Sequence, residues 1–298
     1  MTTTLRPTGP ERVDEHGSRE RGYVVCVNGR TVGGIQLQAS AAGSGRIRGL
    51  AIEERDRGRG RGTTAVLAAE EILRSWGCTR AEGSVVGAEG PEIERVLRWT
   101  RSLGYGPTAR NMVKALPPVP PELPAGLTPR PLTAAEFTVW HDAQQASYAE
   151  MLVRHTGHSP EQAAAKSAAD HAHLFPQGQH SPGVSIDNLL AGDEVVGTIW
   201  VSTLTADTAA EAGAGTGTDA GTDAVAEPRA AWVYNVKVRE AFRGRGYGRA
   251  LMLLAERVTL AAGLRELALN VHAGNVPAER LYESLGYRTF RWAVAKQL

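Results

Sequence analysis

Two glycine-rich hexapeptides, Arg57-Gly-Arg-Gly-Arg-Gly62 and Arg243-Gly-Arg-Gly-Tyr-Gly248, lie 186 residues apart in the chain. At that offset Ile47, Leu50 and Ile52 fall on Val233, Val236 and Val238, and Glu54 falls on Glu240. Farther on, Ser102-Leu-Gly-Tyr105 returns as Ser284-Leu-Gly-Tyr287 at an offset of 182, which Lys114 and Lys296 keep. A repeat this long, interrupted by one four-residue indel, marks a duplicated unit. Any fold of this chain must therefore accommodate the same unit twice.

Each copy reads alike. Tyr23–Val27 and Thr31–Gln38 flank Asn28-Gly29, a pair that two-residue hairpins favour, and Ser185–Leu190 and Val195–Ser202 flank Ala-Gly-Asp. A strand (Arg46–Ile52; Ala231–Val238), the glycine loop and an amphipathic helix (Thr64–Trp76; Arg249–Ala262) come next. A second strand (Ala81–Val86; Leu267–Val271), a helix ending at Ser-Leu-Gly-Tyr and a last strand complete the unit. This order predicts an α/β (α+β) class with mixed, mostly antiparallel sheets flanked by helices. The second copy alone has a full lead-in, a strand at Leu127–Pro131 and helical stretches at Ala134–Arg154 and Pro160–Leu174. The first has about twenty polar residues there instead.

The boundary between copies is Leu116–Pro131, where seven prolines in sixteen residues exclude a helix and give a stiff extended spacer. The expected organisation is a shortened domain over 1–116, a linker over 117–131 and a complete domain over 127–298. Residues 205–229, rich in Gly, Ala, Thr and Asp, are expected to form a mobile connection between two strands. The net charge of +1 argues against a protein that coats nucleic acid. Eighteen basic against fourteen acidic residues leave residues 1–125 at +4, and fifteen against eighteen leave the rest at −3. Cys26 and Cys78 are too few for a disulfide framework or a cysteine-rich zinc site, and read as small buried hydrophobes of a reducing compartment. The polar start, MTTTLRPTGPERVDEHG, lacks the apolar core of a signal peptide, and no apolar run is long enough to span a membrane. A cytoplasmic protein without a metal, a membrane or a nucleic-acid partner is expected.

The motif Arg-x-x-Gly-x-Gly between a strand and a helix suits anion binding. The first turn of a helix carries unpaired N–H groups and the positive end of the macrodipole, glycines let the backbone close on a ligand, and arginine adds a charge-assisted grip. Together Arg243, Gly244, Arg245, Gly246, Tyr247, Gly248 and Arg249 make a pyrophosphate cradle. No Gly-Lys-Ser/Thr ends it, so it is not a Walker loop, and its alternating glycines do not match the dinucleotide fingerprint. RNA binding through the three Arg-Gly pairs is a further alternative, although such elements usually sit in disordered tracts. A tight turn with solvated arginines is the simplest alternative, and it suits the first copy better than the second.

The second copy, about Leu127 to Leu298, resembles the GNAT family of N-acetyltransferases. The resemblance rests on the strand WVYNVKV, the loop RGRGYG, the helix, the strand LALNV, Asn275, and the run Leu281-Tyr282-Glu283-Ser-Leu-Gly-Tyr287. The whole chain looks like tandem members of that family in which one copy is degenerate. The resemblance implies acetyl-CoA as co-substrate and transfer of its acetyl group to a small-molecule amine or a peptide N-terminus by direct attack on the thioester. It places the diphosphate on Arg243–Arg249, the pantetheine arm along Val236, Lys237 and Val238, a further contact at Asn275, and the acid that protonates the departing thiolate at Tyr282. The chemistry needs positioning, an oxyanion donor and a proton source more than a protein nucleophile. A core tyrosine at a helix–sheet interface is the plain alternative for Tyr282, and Tyr287 is assigned to packing.

The first copy departs where it matters. Aligning Ser-Leu-Gly-Tyr puts Thr100 opposite Tyr282 and Trp99 opposite Leu281, and no asparagine follows Ala81–Val86. It is expected not to catalyse, while Arg57, Gly58, Arg59, Gly60, Arg61 and Gly62 could hold a second CoA. The general base is thinly marked. Asn235 and Lys237 occupy strand positions where the family often has an acid, leaving Glu240 and His272 as candidates; the repeat of Glu240 as Glu54 favours a structural role for it. His141, His155, His158, Tyr148 and Glu150 lie where family members usually bind the acceptor, and a solvated helix face is their plain alternative. His171 and His173 have the spacing of a helix edge rather than a zinc pair. A CoA-binding regulatory protein without turnover is the competing class. The chain is expected to be a monomer built as a pseudo-dimer, or a homodimer.

Overall fold

The structure, a computed structural model, describes residues 2–14, 17–156, 158–204 and 230–298; the side chains of His155 and Thr156 and the proposed mobile connection over 205–229 lie outside the described residues. The first copy comprises β1 (Thr3–Pro7), β2 (Arg12–Val13), β3 (Arg19–Val27), β4 (Arg30–Ala39), β5 (Ser44–Ile52), α1 (Arg61–Ser75), β6 (Arg80–Val86), α2 (Pro91–Ser102) and β7 (Gly106–Ala115). The second comprises β8 (Leu127–Pro131), α3 (Ala134–Thr156), α4 (Pro160–Leu174), β9 (Val184–Ala191), β10 (Glu194–Ser202), β11 (Ala231–Val238), α5 (Tyr247–Ala261), β12 (Glu266–His272), α6 (Val276–Ser284) and β13 (Arg288–Gln297). Asn28 and Gly29 both take positive φ, 47° and 86°, as the tight β3–β4 turn requires. Ser159 and Gln162 form a reciprocal capping box on α4, with Pro160 in its first turn. The first copy's polar lead-in is not structureless: β1 runs antiparallel to β3, as β8 does to β9, so it fills the same edge position. Its sequence, TTLRP, gives almost no alternation signal.

Among the described residues all strands join in one sheet, in the order β1-β3-β4-β5-β6-β13-β7-β12-β11-β10-β9-β8, with β2 added on β3. The two copies have exchanged their last strands. The first copy's β7 pairs with β12 of the second, and the second copy's β13 pairs with β6 of the first. β7 and β13 then pair with each other in the middle. The chain crosses over directly after each Ser-Leu-Gly-Tyr: Tyr105 and Tyr287 stay in their own cores, while Met112 enters the second core and Val294 the first.

Charge fixes this exchange as firmly as packing does. Glu70 on α1 and Glu256 on α5, equivalent residues, are each 1% exposed. A carboxylate buried that deeply needs a cation and hydrogen-bond donors. Glu256 accepts from the Lys114 ammonium at 2.6 Å and the Tyr287 hydroxyl at 3.4 Å. Glu70 accepts from Lys296 at 2.8 and 3.0 Å and from Tyr105 at 3.0 Å. Each glutamate therefore draws its tyrosine from its own copy and its lysine from the other. Tyr287, assigned to packing from the sequence, also satisfies this buried carboxylate.

Helices α1 and α5 cover equivalent faces over cores built from β3–β6 and β9–β12. On the second copy α3 and α4 cover the opposite face through Phe137, Trp140 and Phe175, packed on Trp200 and Tyr234. One close approach recurs in both copies. A Cβ on Gly197 would lie 2.7 Å from the Lys237 carbonyl oxygen, and one on Gly33 would sit on the Ala51 carbonyl. Only glycine lets β10 and β4 come this near the following strand.

Candidate active site

In each copy two parallel strands part. β11 pairs with β12 only from Ala231 to Val233, opposite Leu267 to Leu269, and β5 pairs with β6 only from Ser44 to Arg46. β11 remains bound to β10 as far as Val238, and β12 remains bound to β7 as far as His272. A cleft therefore opens between Tyr234–Val238 and Asn270–His272. Among the described residues the β11 edge facing it has no ladder partner beyond Val233. A bulge sits at the point of parting: Trp200 lies opposite Asn235 and Val201 opposite Val233, which leaves Tyr234 as the extra residue. Bulges re-aim side chains and free backbone groups beside functional sites. The first copy repeats the irregularity between Arg48 and Ala51.

The glycine loop closes one end of the cleft. Gly244 and Gly246 take φ of 77° and 84°, and Gly246 is the N-cap residue of α5. The N–H groups of Gly244, Arg245, Gly246, Tyr247 and Gly248 have no acceptor among the described residues, and a Cβ on Gly244 or Gly246 would meet nothing within 4 Å. This is an open nest of donors at the positive end of a helix, which fits a diphosphate. Arg243 stands at the mouth, 3.9 Å from Glu240. Arg245 lies over the Phe242 ring at 5.5 Å, and Tyr247 meets that ring edge-on. Arg249 turns away from the nest and donates to Ser284 Oγ at 2.5 Å.

That bond and the contact of Leu281 with Gly248, whose Cβ would lie 3.2 Å from Leu281 Cδ2, pin α6 against the first turn of α5. Tyr282, the next residue, is thereby held beside the loop helix. It is 8% exposed, packs in the core with Tyr287 and makes no hydrogen bond through its hydroxyl among the described residues. Burial raises its pKa above the ordinary tyrosine value, so the phenol keeps its proton at neutral pH.

The remaining candidates from the sequence are distributed more widely. Val236 and Val238 pack against the core beneath α5, and Lys237 points to the opposite face, as its partner Thr198 does. Asn275 caps α6: its Oδ1 accepts from Ala278 N at 3.3 Å, which leaves its NH2 for a ligand. Glu240 is 90% exposed at the loop mouth and does not enter the cleft. His272 ends β12 on the face opposite Leu269 and Val271, at the far lip of the cleft. Glu150 is an exposed partner of Arg154, and His158 is half-buried. His171 is buried rather than at a helix edge. Its ring meets His141 at 5.3 Å, its Nδ1 contacts the Ser167 carbonyl at 2.9 Å, and burial lowers its pKa. Tyr148 donates to Asp170 at 2.9 Å, tying α3 to α4.

A wall of aromatic residues on the α3/α4 side was not read from the sequence. Trp200 stacks on Tyr234 at 4.5 Å and 18°, with Phe175 at 5.0 Å and Trp140 edge-on at 5.4 Å. Burial pushes the Tyr234 phenol up to about 12. Trp200 Nε1 and Asn235 Oδ1, on directly opposed residues, are buried without hydrogen-bond partners among the described residues. One orphaned donor and one orphaned acceptor thus belong to opposed residues at the bulge. The aromatic residues are spread from Phe137 to Tyr234, so only the fold assembles them.

The first copy keeps the nest but alters its surroundings. Gly58 and Gly60 take φ of 70° and 74°, and the N–H groups from Gly58 to Thr63 have no acceptor among the described residues. Arg61 is drawn inward, 7% exposed, onto buried Asp56, which Arg30 also grips at 2.8 Å. Arg57 Nε donates to the Ile52 carbonyl at 2.8 Å. Thr100 donates its hydroxyl to Leu97 O at 3.0 Å, within its own helix.

Comparison with known proteins agrees with this duplicated geometry. The acetyltransferase (GNAT) family matches residues 2–87 and 143–287. An uncharacterized N-acetyltransferase of Bacillus subtilis, YycN, is 25% identical over 173 residues, 56% of this chain and 96% of the relative. A mycothiol acetyltransferase of Corynebacterium glutamicum is 42% identical over 60 residues, 20% of each chain. Among solved structures, a GCN5-related N-acetyltransferase from Sphaerobacter thermophilus superposes with a TM-score of 0.56 at 20% identity, covering 93% of this chain and 80% of that one. A tandem GNAT protein from the clavulanic acid biosynthesis pathway gives 0.51 at 18%, covering 96% and 85%. These two structural likenesses concern the fold. Among the described residues no helix is long and apolar enough to cross a membrane.

Proposed function

The chain belongs to the GNAT family of acetyltransferases, whose co-substrate is acetyl-CoA, and from that premise we propose that its second copy acetylates a primary amine while its first copy does not turn over. The observation carrying this reading is the contrast at one position. Tyr282 holds a protonated hydroxyl beside the loop helix with no partner among the described residues, whereas Thr100 donates its hydroxyl to its own helix backbone.

Bound in the second cleft, acetyl-CoA supplies the activated carbonyl; the protein's part is positioning and proton transfer. The nest from Gly244 to Gly248, with Arg243 and Arg245 beside it, receives the diphosphate. The unpartnered edge of β11 continues its ladder along the amide-bearing pantetheine arm, and the N–H groups of Val236 and Val238 polarise the thioester oxygen. The Asn275 NH2 adds a contact at the start of α6. The amine enters from the α3/α4 face beneath Trp200 and Tyr234, where Trp200 Nε1 and Asn235 Oδ1 orient it. As the C–N bond forms and the C–S bond breaks, the Tyr282 hydroxyl gives its proton to sulfur. The proton lost by the amine leaves through water toward His272, which shares the acceptor face; Glu240 stays at the loop mouth with Arg243.

Thiol release from acetyl-CoA, measured against small-molecule amines and peptide N-termini, tests this reading. Amine-dependent release is expected. Tight binding of acetyl-CoA with no amine accelerating release would identify a CoA-binding protein instead.

A further inference from the structure

The copy that lacks the acid carries an open space of its own. A cavity of about 740 Å³, within the range of ligand sites, runs through the parting of β5 and β6. Its origin lies in small residues. At equivalent positions Gly83 replaces Leu269 and Thr100 replaces Tyr282; both small residues line the cavity, and in the second copy Leu269 and Tyr282 are buried. The first copy's space is walled by Leu50, Val66, Ile93, Val96, Trp99 and Leu103. It starts directly under the glycine loop, because Trp99 Nε1 donates to Thr63 Oγ1 in the first turn of α1 at 2.9 Å.

We infer that this cleft binds an unbranched acyl chain, carried into it on CoA whose diphosphate lies on the Gly58–Thr63 nest. The inference rests on the reading of that loop as a second CoA site. A chain tethered at the loop would pass Trp99 into an apolar slot, where each buried methylene adds favourable transfer free energy. With Thr100 in place of Tyr282, the slot holds its ligand without turning it over. The first copy is then an acyl-CoA binding domain attached to a transferase.

The test is calorimetry on the full chain carrying Arg243→Glu, which weakens the second loop, titrated with CoA, acetyl-CoA, decanoyl-CoA and decanoate. Decanoyl-CoA is expected to bind at least about tenfold more tightly than acetyl-CoA. Adding Gly83→Leu should remove that gain and leave CoA binding unchanged. A Cβ at Gly83 meets nothing closer than the Ile47 carbonyl oxygen at 3.6 Å and its φ is not positive, so the leucine can enter the slot without strain. Thr100→Tyr is the second filling variant if Gly83→Leu does not fold. Equal affinity for acetyl-CoA and decanoyl-CoA, with CoA still bound, would overturn the acyl slot and leave the loop reading standing. Decanoate binding that Gly83→Leu abolishes, with no affinity for CoA, would do the reverse. Binding of none of the four would overturn both.

Discussion

Replacing Tyr282 by phenylalanine is expected to lower kcat by about 100-fold or more while leaving the KM for acetyl-CoA within about threefold, because an acid is lost and little binding surface with it. The ring is packed in the core beside Tyr287, and phenylalanine preserves that packing. Thr100→Val, the equivalent change in the first copy, should leave turnover unchanged. The pH profile gives a second check. Burial raises the Tyr282 pKa, so its acid form persists up to the ordinary tyrosine range and beyond. Activity that depends on the protonated phenol should therefore hold across neutral pH and fall only on an alkaline limb above about 10. That limb should disappear from the residual activity of Tyr282→Phe. A variant with wild-type kcat would return Tyr282 to a packing role.

The second large effect concerns stability. Among the described residues, Lys114→Met leaves buried Glu256 with Tyr287 alone to donate to it, and Lys296→Met leaves Glu70 with Tyr105 and with Arg74 at 4.0 Å. Removing one partner of a buried ion pair costs roughly 3–5 kcal/mol. The lysine side chains are 18% and 22% exposed, which places the expected loss near the lower figure, about 3 kcal/mol each. Because each copy's last strand lies beyond the other's, both copies should lose stability together. Urea denaturation followed by fluorescence and by circular dichroism should give one coincident transition in the wild type and in both variants. Deleting β13 should unfold the first copy as well as the second, since β6 would lose its antiparallel partner and Glu70 its lysine. Two separate transitions, one per copy, would contradict the exchange.

Much of this architecture was legible from local patterns. The strand–loop–helix order, the hairpin at Asn28-Gly29 and the alignment of Thr100 with Tyr282 all follow from short segments whose chemistry is self-contained. The strand exchange was not. β7 and β13 carry the same signal, a strand after Ser-Leu-Gly-Tyr with a lysine near its end, so either would fit either sheet. The clue lay one step further along the repeat. Glu70 and Glu256 keep the 186-residue offset on otherwise apolar helix faces, and each is bonded by a lysine of the other copy. β1 was hidden because TTLRP lacks alternation. Glu240, a candidate base by its place beside the loop, is turned outward by the short 3₁₀ turn that carries it. The spacing of His171 to His173 suggests a helix edge but carries no information about α3, which buries His171. The aromatic wall and the first copy's cavity depend on residues far apart in sequence, and become visible only when equivalent positions are compared in three dimensions.

Of the two related clefts, one is proposed to transfer acetyl groups and the other only to bind. Thiol release measured side by side for Arg243→Glu and Arg57→Glu tests it most directly, since each reversal places a carboxylate at the mouth of one nest. A fall in kcat/KM of at least about tenfold is expected for Arg243→Glu and of less than about twofold for Arg57→Glu. Equal losses, or a greater loss for Arg57→Glu, would contradict it.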